Sequence, residues 1–235
     1  MDFMLFLRRI SFFEGLGEEE KTLFLSQSKR MCLKKGETLF QSGEPCRSCY
    51  FIEKGLVRIY GVTGSGKEPV FFLRRTGEMF GLAEILNDGI RMANAQTIMP
   101  TTVYACDSAA FRNMLKTHFE MCLRVINILG MRLRYLNDQI QSLTTATVRD
   151  RLLRLLVYLV FDSLPKDLSS PDWPDKVRTS IPVSQEMIAS IIGSTQPTIS
   201  SSLQQLQQEG LLQVRRNHID ILDARQLVAL AEAMN

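Results

Sequence analysis

Two short amphipathic helical patterns flank a glycine in residues 183–203, and this arrangement restricts the fold more than any other part of the chain. Ser184 and the nearby Glu186 suit the start of the first helix, and Gly193 permits the sharp turn that ends it. Pro197 fits only in the first turn of a helix, so the second helix begins at about residue 196. The sequence therefore predicts a helix-turn-helix with its second helix over residues 196–208.

Two strand-like stretches follow this pair, at residues 209–214 and 219–222, and predict a β-hairpin wing. Serine, threonine and glutamine side chains leave one face of the second helix with nothing to pack against, so we expect that face to contact DNA. A helical hairpin with a β-extension and no role in DNA binding is the alternative. The candidate DNA-contacting residues are Ser184, Gln185, Gln196, Pro197, Thr198, Ser200, Ser201, Gln204, Arg215 and Arg216.

A long helix is predicted over residues 119–144, where apolar residues alternate spacings of three and four. This spacing is that of the a and d positions of a coiled coil, and the flanking positions are polar. A parallel pair of such helices would make the chain a symmetric homodimer. Packing of the helix on its own domain is the alternative. The predicted seam consists of Ile126, Leu129, Leu133, Leu136, Ile140 and Leu143.

Short strands separated by glycine turns occupy residues 31–107 and predict an all-β barrel or sandwich. A helix is expected before it over residues 18–28, and Ser108 is expected to cap another over residues 109–116. A further helix is predicted over residues 148–161. A linker rich in Pro, Asp and Ser then covers residues 164–175.

The composition is that of a globular protein, with 45% apolar and 23% charged residues. No apolar stretch is long enough for a membrane span, and the pair Arg8 and Arg9 follows the apolar N-terminal residues, which is the wrong order for a signal peptide. We therefore expect a cytoplasmic protein without a membrane partner. Five cysteines, an odd number, argue against a disulfide framework. Residues 147–235 carry nine Lys and Arg against ten Asp and Glu, so charge alone does not predict DNA binding.

The order of β-domain, seam helix and winged helix-turn-helix resembles the CRP/FNR family of transcription regulators over nearly the whole chain. The resemblance implies an α+β fold with three parts. These are an N-terminal β-roll sensor of the cupin-like, cyclic-nucleotide-binding type (residues 1–117), a dimerisation helix and hinge (118–146) and a DNA-binding domain (147–235). It also implies a palindromic double-stranded DNA operator, a second copy of the chain and RNA polymerase as partners. No assembled nucleophile and base suggest an enzyme.

The predicted recognition helix departs from the family pattern. Gln196, Pro197 and Ser201 stand where many members carry Arg, Glu and Arg, and residues 194–208 include no charged side chain. Base readout would then depend on hydroxyl and amide groups, of which Gln196 and Gln204 suit adenine. The salt dependence of DNA binding should be shallow unless Arg178, Arg215 and Arg216 reach phosphates.

The sensor also departs from the cyclic-nucleotide pattern. Leu82 stands where the family's ribose-binding Glu is expected, and Met92 where its phosphate-binding Ser or Thr is expected, whereas Arg91 is retained and suits an anion. These departures argue against cyclic AMP and leave the effector unknown, with a small organic molecule or haem as candidates. The predicted effector pocket consists of Gly81, Leu82, Glu84, Arg91, Met92, Leu133 and Asn137.

Cysteine and histidine residues suggest a second class of sensor within the same family. Cys46 and Cys49 form a Cys-x2-Cys pair with Cys32 upstream, but a zinc or iron–sulfur site needs a fourth ligand. Ordinary buried cysteines are the favoured interpretation. His118 is a candidate haem ligand. A haem, iron–sulfur or thiol-based regulator is therefore the alternative to one switched by an organic effector.

Overall fold

The computed structural model describes residues 3–87, 89–165, 179–216 and 218–233. Most of the predicted linker and Arg178 lie outside the described residues. The chain divides into two compact units, an N-terminal one over Met4–Tyr135 and a C-terminal one that begins at Leu136 and with which Phe3 is grouped. The boundary at Tyr135 lies within one long helix. Among the described residues, no helix is both long enough and apolar enough to cross a membrane.

Two helices open the N-terminal unit, α1 (Phe3–Arg9) and α2 (Glu18–Ser26). Eight strands follow: β1 (Ser28–Leu33), β2 (Thr38–Phe40), β3 (Ser48–Lys54), β4 (Leu56–Tyr60), β5 (Val70–Arg75), β6 (Met79–Phe80), β7 (Asn94–Thr97) and β8 (Thr101–Asp107). Helix α3 (Ser108–Thr117) and the start of α4 (Phe119–Thr145) complete the unit. The sequence did not predict α1, because a short apolar stretch has no clear period.

The strands form two four-stranded antiparallel sheets, in the orders β1-β8-β3-β6 and β2-β7-β4-β5. Alternating apolar residues of both sheets meet in one core, as expected for a sandwich with a single buried layer. Its members are Phe40, Ile52, Val57, Phe80, Ala95 and Val103. The predicted mixed fold with an N-terminal β-domain is confirmed.

The cap of α3 differs from the prediction. Asp107, not Ser108, is the N-cap, and its carboxylate accepts hydrogen bonds from the backbone nitrogens of Ala109 and Ala110. The expectation of Ser108 was wrong because both residue types are good caps and the sequence alone does not separate neighbours.

Helix α5 (Val148–Val160) follows a capping box in which Thr147 and Asp150 exchange hydrogen bonds. A short 3-10 turn (Phe161–Ser163) follows it. The described chain then continues with β9 (Thr179–Ile181), α6 (Gln185–Ile192), α7 (Gln196–Gln208), β10 (Leu212–Arg215), β11 (His218–Ile221) and α8 (Ala224–Glu232). Strands β10, β11 and β9 form an antiparallel sheet beside α6 and α7, which confirms the winged helix-turn-helix.

Candidate functional site

Local sequence signals position both helices of the helix-turn-helix. The Ser184 hydroxyl accepts a hydrogen bond from the Met187 backbone nitrogen at 3.1 Å and caps α6. Gly193 ends α6 in the left-handed conformation, with φ of 65°, which a residue with a side chain rarely adopts. Thr195 caps α7, and Pro197 lies in its first turn, as predicted.

Apolar packing holds α7 against the rest of its unit. Ile199, Leu203 and Leu206 are fully buried. At the far end of the helix, the Gln207 side chain accepts a hydrogen bond from the Val214 backbone nitrogen at 2.8 Å, which ties the helix to β10. The opposite face of α7 is left to solvent.

A cleft of about 280 Å³ lies between the start of α6, the start of α7 and the wing. It brings together five of the predicted DNA-contacting residues: Ser184, Gln185, Gln196, Arg215 and Arg216. Hydroxyl, amide and guanidinium groups thus converge on one concave surface, and these are the groups that bind phosphate oxygens and base edges.

The other candidates lie along α7 outside this cleft. Pro197, Thr198, Ser201 and Gln204 are exposed, whereas Ser200 is half-buried. The Thr198 hydroxyl lies 2.9 Å from that of Thr195. Ser201 and Gln204 share a face because they follow Pro197 by four and seven residues. This face offers hydrogen-bonding groups without charge.

Glu186 lines the cleft and is not among the candidate DNA-contacting residues, because its position in the sequence indicated only the start of a helix. It is exposed in the first turn of α6 and lines the same cleft as Arg215 and Arg216. The signal was a carboxylate next to the predicted DNA contacts Ser184 and Gln185.

In the N-terminal unit, Arg91 is the centre of the predicted effector pocket and is only 2% exposed. Its guanidinium donates to the Gly81 carbonyl at 3.2 Å, to the Glu84 carboxylate at 3.3 Å and to the Ser48 carbonyl. It also lies 3.9 Å above the centre of the Phe40 ring, in cation–π geometry. The protein's own groups thus surround this guanidinium.

The remaining pocket candidates do not share one environment. Leu82 is buried at 2% exposure, whereas Met92 is 75% exposed. Leu133 and Asn137 are both exposed on α4. The structure therefore brings Gly81, Glu84 and Arg91 together. Asn137 belongs to the C-terminal unit, and the place of the other four residues in the pocket stays a prediction.

The cysteines form a different pair from the one that the sequence suggested. Cys49 on β3 lies directly opposite Cys106 on β8, and both are buried free thiols. Burial raises the pKa of Cys49 well above its ordinary value, while a hydrogen bond with the Cys49 thiol lowers the pKa of Cys106. Cys46 is half-buried, with its sulfur 4.0 Å from the Gly81 carbonyl oxygen.

His118 ends α3, and its Nδ1 atom lies 2.8 Å from the Thr117 hydroxyl. Within the described ranges, no three His, Cys, Asp or Glu side chains are arranged to hold a metal ion.

The predicted seam residues of α4 separate into two groups. Ile126, Leu133, Ile140 and Leu143 are between 54% and 65% exposed. Leu129 and Leu136 are half-buried. Phe119 is 71% exposed and extends the first group by one heptad.

Comparison with known proteins identifies both parts of the chain. Residues 30–118 match the cyclic nucleotide-binding domain, and residues 150–230 match the Crp-like helix-turn-helix domain. The chain is 24% identical over 225 residues to a CRP-like cAMP-activated global transcriptional regulator of Mycobacterium tuberculosis, covering 96% of this chain and 98% of the relative. It is 25% identical over 189 residues to the global nitrogen regulator of Synechocystis, covering 80% and 81%.

Among solved structures, a putative cyclic nucleotide binding protein from Ruegeria pomeroyi has a TM-score of 0.71 at 24% identity. The alignment covers 97% of this chain and 96% of that one. The two proteins therefore share their fold over almost the full length of both chains.

Proposed function

Because the chain belongs to the CRP/FNR family of DNA-binding transcription regulators, we propose that it is a homodimer that binds a palindromic operator and is switched by a small effector other than cyclic AMP. The matched families are regulators and not enzymes. The predicted segment boundaries after residues 117 and 146 are part of this proposal. Contact with RNA polymerase and a cytoplasmic location stay predictions.

The observation that carries the DNA-binding proposal is the cleft beside the exposed face of α7. In helix-turn-helix proteins the second helix enters the major groove, and flanking groups contact phosphates. Here Gln196 lies at the start of α7 and also lines the cleft. The amide proposed to contact a base is therefore next to the arginines proposed to contact phosphates. Gln204 lies two turns further along the same helix.

Selection of duplexes from a random-sequence pool tests this proposal. We expect a palindromic site with half-sites about 10 base pairs apart, bound by wild-type protein. Gln196→Ala and Gln204→Ala should each weaken binding to that site about tenfold, since a bidentate amide contact to adenine supplies this order of discrimination. Gln226→Ala on α8 is the matched control, because Gln226 is exposed outside the cleft and α7. Failure to enrich any sequence would contradict the proposal.

The face of α4 proposed to form the dimer is centred on residues spaced by seven. Phe119, Ile126, Leu133 and Ile140 recur at this spacing and are 57% to 71% exposed. Large apolar side chains exposed in a row along one helix are typical of an interface. Leu129 and Leu136 would flank it.

Leu133→Lys should convert the dimer to a monomer, because two lysines would face each other across the symmetry axis. Sedimentation equilibrium measures the change, and circular dichroism checks that the helices persist. Leu86→Lys is the control: Leu86 is 46% exposed but lies outside α4. A wild-type monomer at micromolar concentration, or a dimeric Leu133→Lys protein, would overturn the proposal.

The surroundings of Arg91 support an effector other than cyclic AMP. The ion pair with Glu84 must rearrange before an anion can meet this guanidinium, and Leu82 and Met92 offer neither a carboxylate nor a hydroxyl. We expect no heat of binding on calorimetric titration with cyclic AMP. An absorption spectrum of protein purified without oxygen distinguishes an organic effector from a haem or iron–sulfur group. A saturating cyclic AMP response would contradict this part of the proposal.

The opposed Cys49 and Cys106 favour a thiol-based regulator as the second candidate. Opposite residues of antiparallel strands have Cα atoms about 4.5–5.5 Å apart, which lies within the range for disulfides. With hydrogen peroxide as the oxidant, two thiols would lose two protons and two electrons to form one disulfide and two water molecules. The thiolate would form first at Cys106, where the pKa is lowered.

Alkylation and mass spectrometry after peroxide treatment test this candidate. If the thiols form a disulfide, Cys49 and Cys106 should be protected from alkylation when the treated protein is denatured. If the disulfide is regulatory, the affinity for DNA should also change by at least a few fold. Cys49→Ser and Cys106→Ser should abolish both effects, and the exposed Cys32→Ser should not. Cys46→Ser separates a Cys46–Cys49 bridge from the cross-strand pair. An unchanged DNA affinity would exclude a regulatory role for the thiols.

A further inference from the structure

The cleft beside the recognition helix α7 contains little positive charge for a surface that binds DNA. Its charged lining side chains are Glu186, Arg215 and Arg216, and α7 itself has none. Phosphate contacts normally supply most of the sequence-independent affinity for DNA. The balance among these three side chains therefore sets how strongly the cleft attracts any duplex.

Arg215 is partly neutralised by the neighbouring strand. Its Nε atom lies 2.6 Å from the Asp220 carboxylate, and a second nitrogen donates to the Gln213 side chain at 3.3 Å. The Nε2 atom of His218 also lies 3.9 Å from Asp220. Arg215 would therefore have to share or break its ion pair with Asp220 in order to bind a phosphate. Within the described part of the chain, no ion pair holds Arg216, the other cation of the cleft.

Glu186 places a full negative charge on the same surface. It is exposed and follows Gln185, the first residue of α6. Among residues 179–216 and 218–233, no ion pair holds its carboxylate. A phosphate entering the cleft toward Arg216 would therefore approach a carboxylate that no cation of these residues neutralises.

We propose that Glu186 is a specificity-determining residue that repels backbone phosphates from the cleft and so suppresses sequence-independent DNA binding. Non-specific complexes depend on phosphate attraction, whereas an operator complex also gains the amide and hydroxyl contacts of α7. Repulsion by Glu186 lowers the affinity for random DNA more than for the operator. This inference rests on the proposed DNA-binding function.

Glu186→Gln tests it, because the variant keeps the shape and helix propensity of the side chain and removes the charge. Fluorescence anisotropy compares the selected operator with a scrambled duplex of equal length at about 50 mM and 200 mM salt. At the lower salt we expect affinity for scrambled DNA to rise about fivefold for each Glu186 that faces DNA, the order of one unit-charge repulsion at contact distance in water, and so by up to about 25-fold for a dimer with both copies in contact. Operator affinity should rise by less, so the specificity ratio falls.

Glu232→Gln is the matched control, since it makes the same charge change on α8, outside the cleft. It should leave both affinities within about twofold, because repulsion over longer distances is screened. If Glu186→Gln leaves the affinity for scrambled DNA unchanged, or lowers the affinity for the operator, the inference is wrong. The proposed DNA-binding function still holds in that case, provided that the wild type binds the operator. Absence of DNA binding by the wild type overturns both.

Discussion

Arg151 is a buried cation that binds backbone instead of a carboxylate. Its guanidinium donates to the carbonyls of Ser142 at 3.2 Å, Ala146 at 2.8 Å and Ile192 at 2.9 Å. Ile192 ends α6, Ser142 lies in the last turn of α4, where its carbonyl also accepts from the Ala146 backbone nitrogen at 3.0 Å, and Ala146 directly follows that helix. One side chain thus satisfies and partly neutralises the C-terminal ends of two helices.

Arg151→Met should destabilise the C-terminal unit by about 2–4 kcal/mol, since it removes three charge-assisted hydrogen bonds, including the one to the Ile192 carbonyl at the end of α6. Urea unfolding followed by circular dichroism measures the loss. Arg225→Met on α8 is the control for the same replacement at an exposed site and should change the free energy of unfolding by less than about 0.5 kcal/mol. Equal effects of the two variants would contradict the role given to Arg151.

The pair Arg149 and Glu209 predicts a small pH dependence. Two parallel hydrogen bonds of 2.8 and 2.6 Å join these side chains, and Arg149 lowers the pKa of Glu209 below its ordinary value of 4.5. A depressed carboxyl pKa adds stability above the unfolded-state value, and that stability is lost as the pH falls through the folded-state value.

Because both side chains are partly exposed, the contribution should stay below about 1 kcal/mol. We expect wild type to be more stable than Glu209→Gln at pH 7 and the two to converge when the pH is lowered well below 4.5. Paired urea titrations measure this difference. A difference that persists at low pH would show that the ion pair is not its source.

Among the secondary-structure elements, helix boundaries were predicted best where a glycine or a proline marks the end or the start of a helix. Gly193 and Pro197 located the end of α6 and the start of α7, and the predicted residues 196–208 agree with the helix found. These signals work because their backbone constraints are local. Strand β9 and its register with β11 were not predicted, since pairing across a long sequence separation has no local signature.

For the candidate site, too, local features could be predicted from the sequence and tertiary contacts could not. Residue types identified the polar face of α7 and the arginines of the wing. The cleft that joins Gln196 to Arg216, the proximity of Glu186 and the opposition of Cys49 and Cys106 depend on tertiary contacts. Leu129 and Leu136 of the seam illustrate the same limit: both are half-buried, and the heptad period alone does not show which side of a helix the rest of the chain covers.

Helix α4 contains a glycine, Gly130, at which the described residues leave room for a side chain. Within the described ranges, a Cβ atom at Gly130 would meet only the Arg134 Nη1 atom, at 3.9 Å. Glycine within a helix is less stable than alanine by about 0.5–1 kcal/mol, so a close neighbour from elsewhere would explain it. On the seven-residue spacing, Gly130 adjoins Ile126 and Leu133, and it is where we expect the paired helices to approach most closely.

Gly130→Ala should therefore weaken the dimer about tenfold while leaving the helix content unchanged or slightly higher. Sedimentation equilibrium and circular dichroism give the two quantities. Asn127→Ala is the control on the same helix, since Asn127 is exposed away from the seven-residue row. A dimer strengthened by Gly130→Ala would place the helix crossing elsewhere.

At the scale of the whole molecule, the charge distribution separates this regulator from basic DNA-binding proteins. The net charge of +3 is not concentrated in residues 147–235, where acidic residues outnumber basic ones by ten to nine. Helix α7 is uncharged, and Arg215 is paired with Asp220. We therefore expect the free energy of the proposed operator binding to come largely from hydrogen bonds and shape complementarity, which salt affects little.

The slope of log K against log salt measures this balance directly. If Arg215 and Arg216 of two protomers each neutralise one phosphate, the slope for operator DNA should be about −3 to −4, at about −0.9 per phosphate. Arg215→Gln and Arg216→Gln should each flatten the slope by about 2 units in the dimer, whereas Arg225→Gln on α8 should not change it. A slope as steep as about −8 would require many more phosphate contacts than these arginines supply, and would mean that electrostatic attraction dominates operator binding after all.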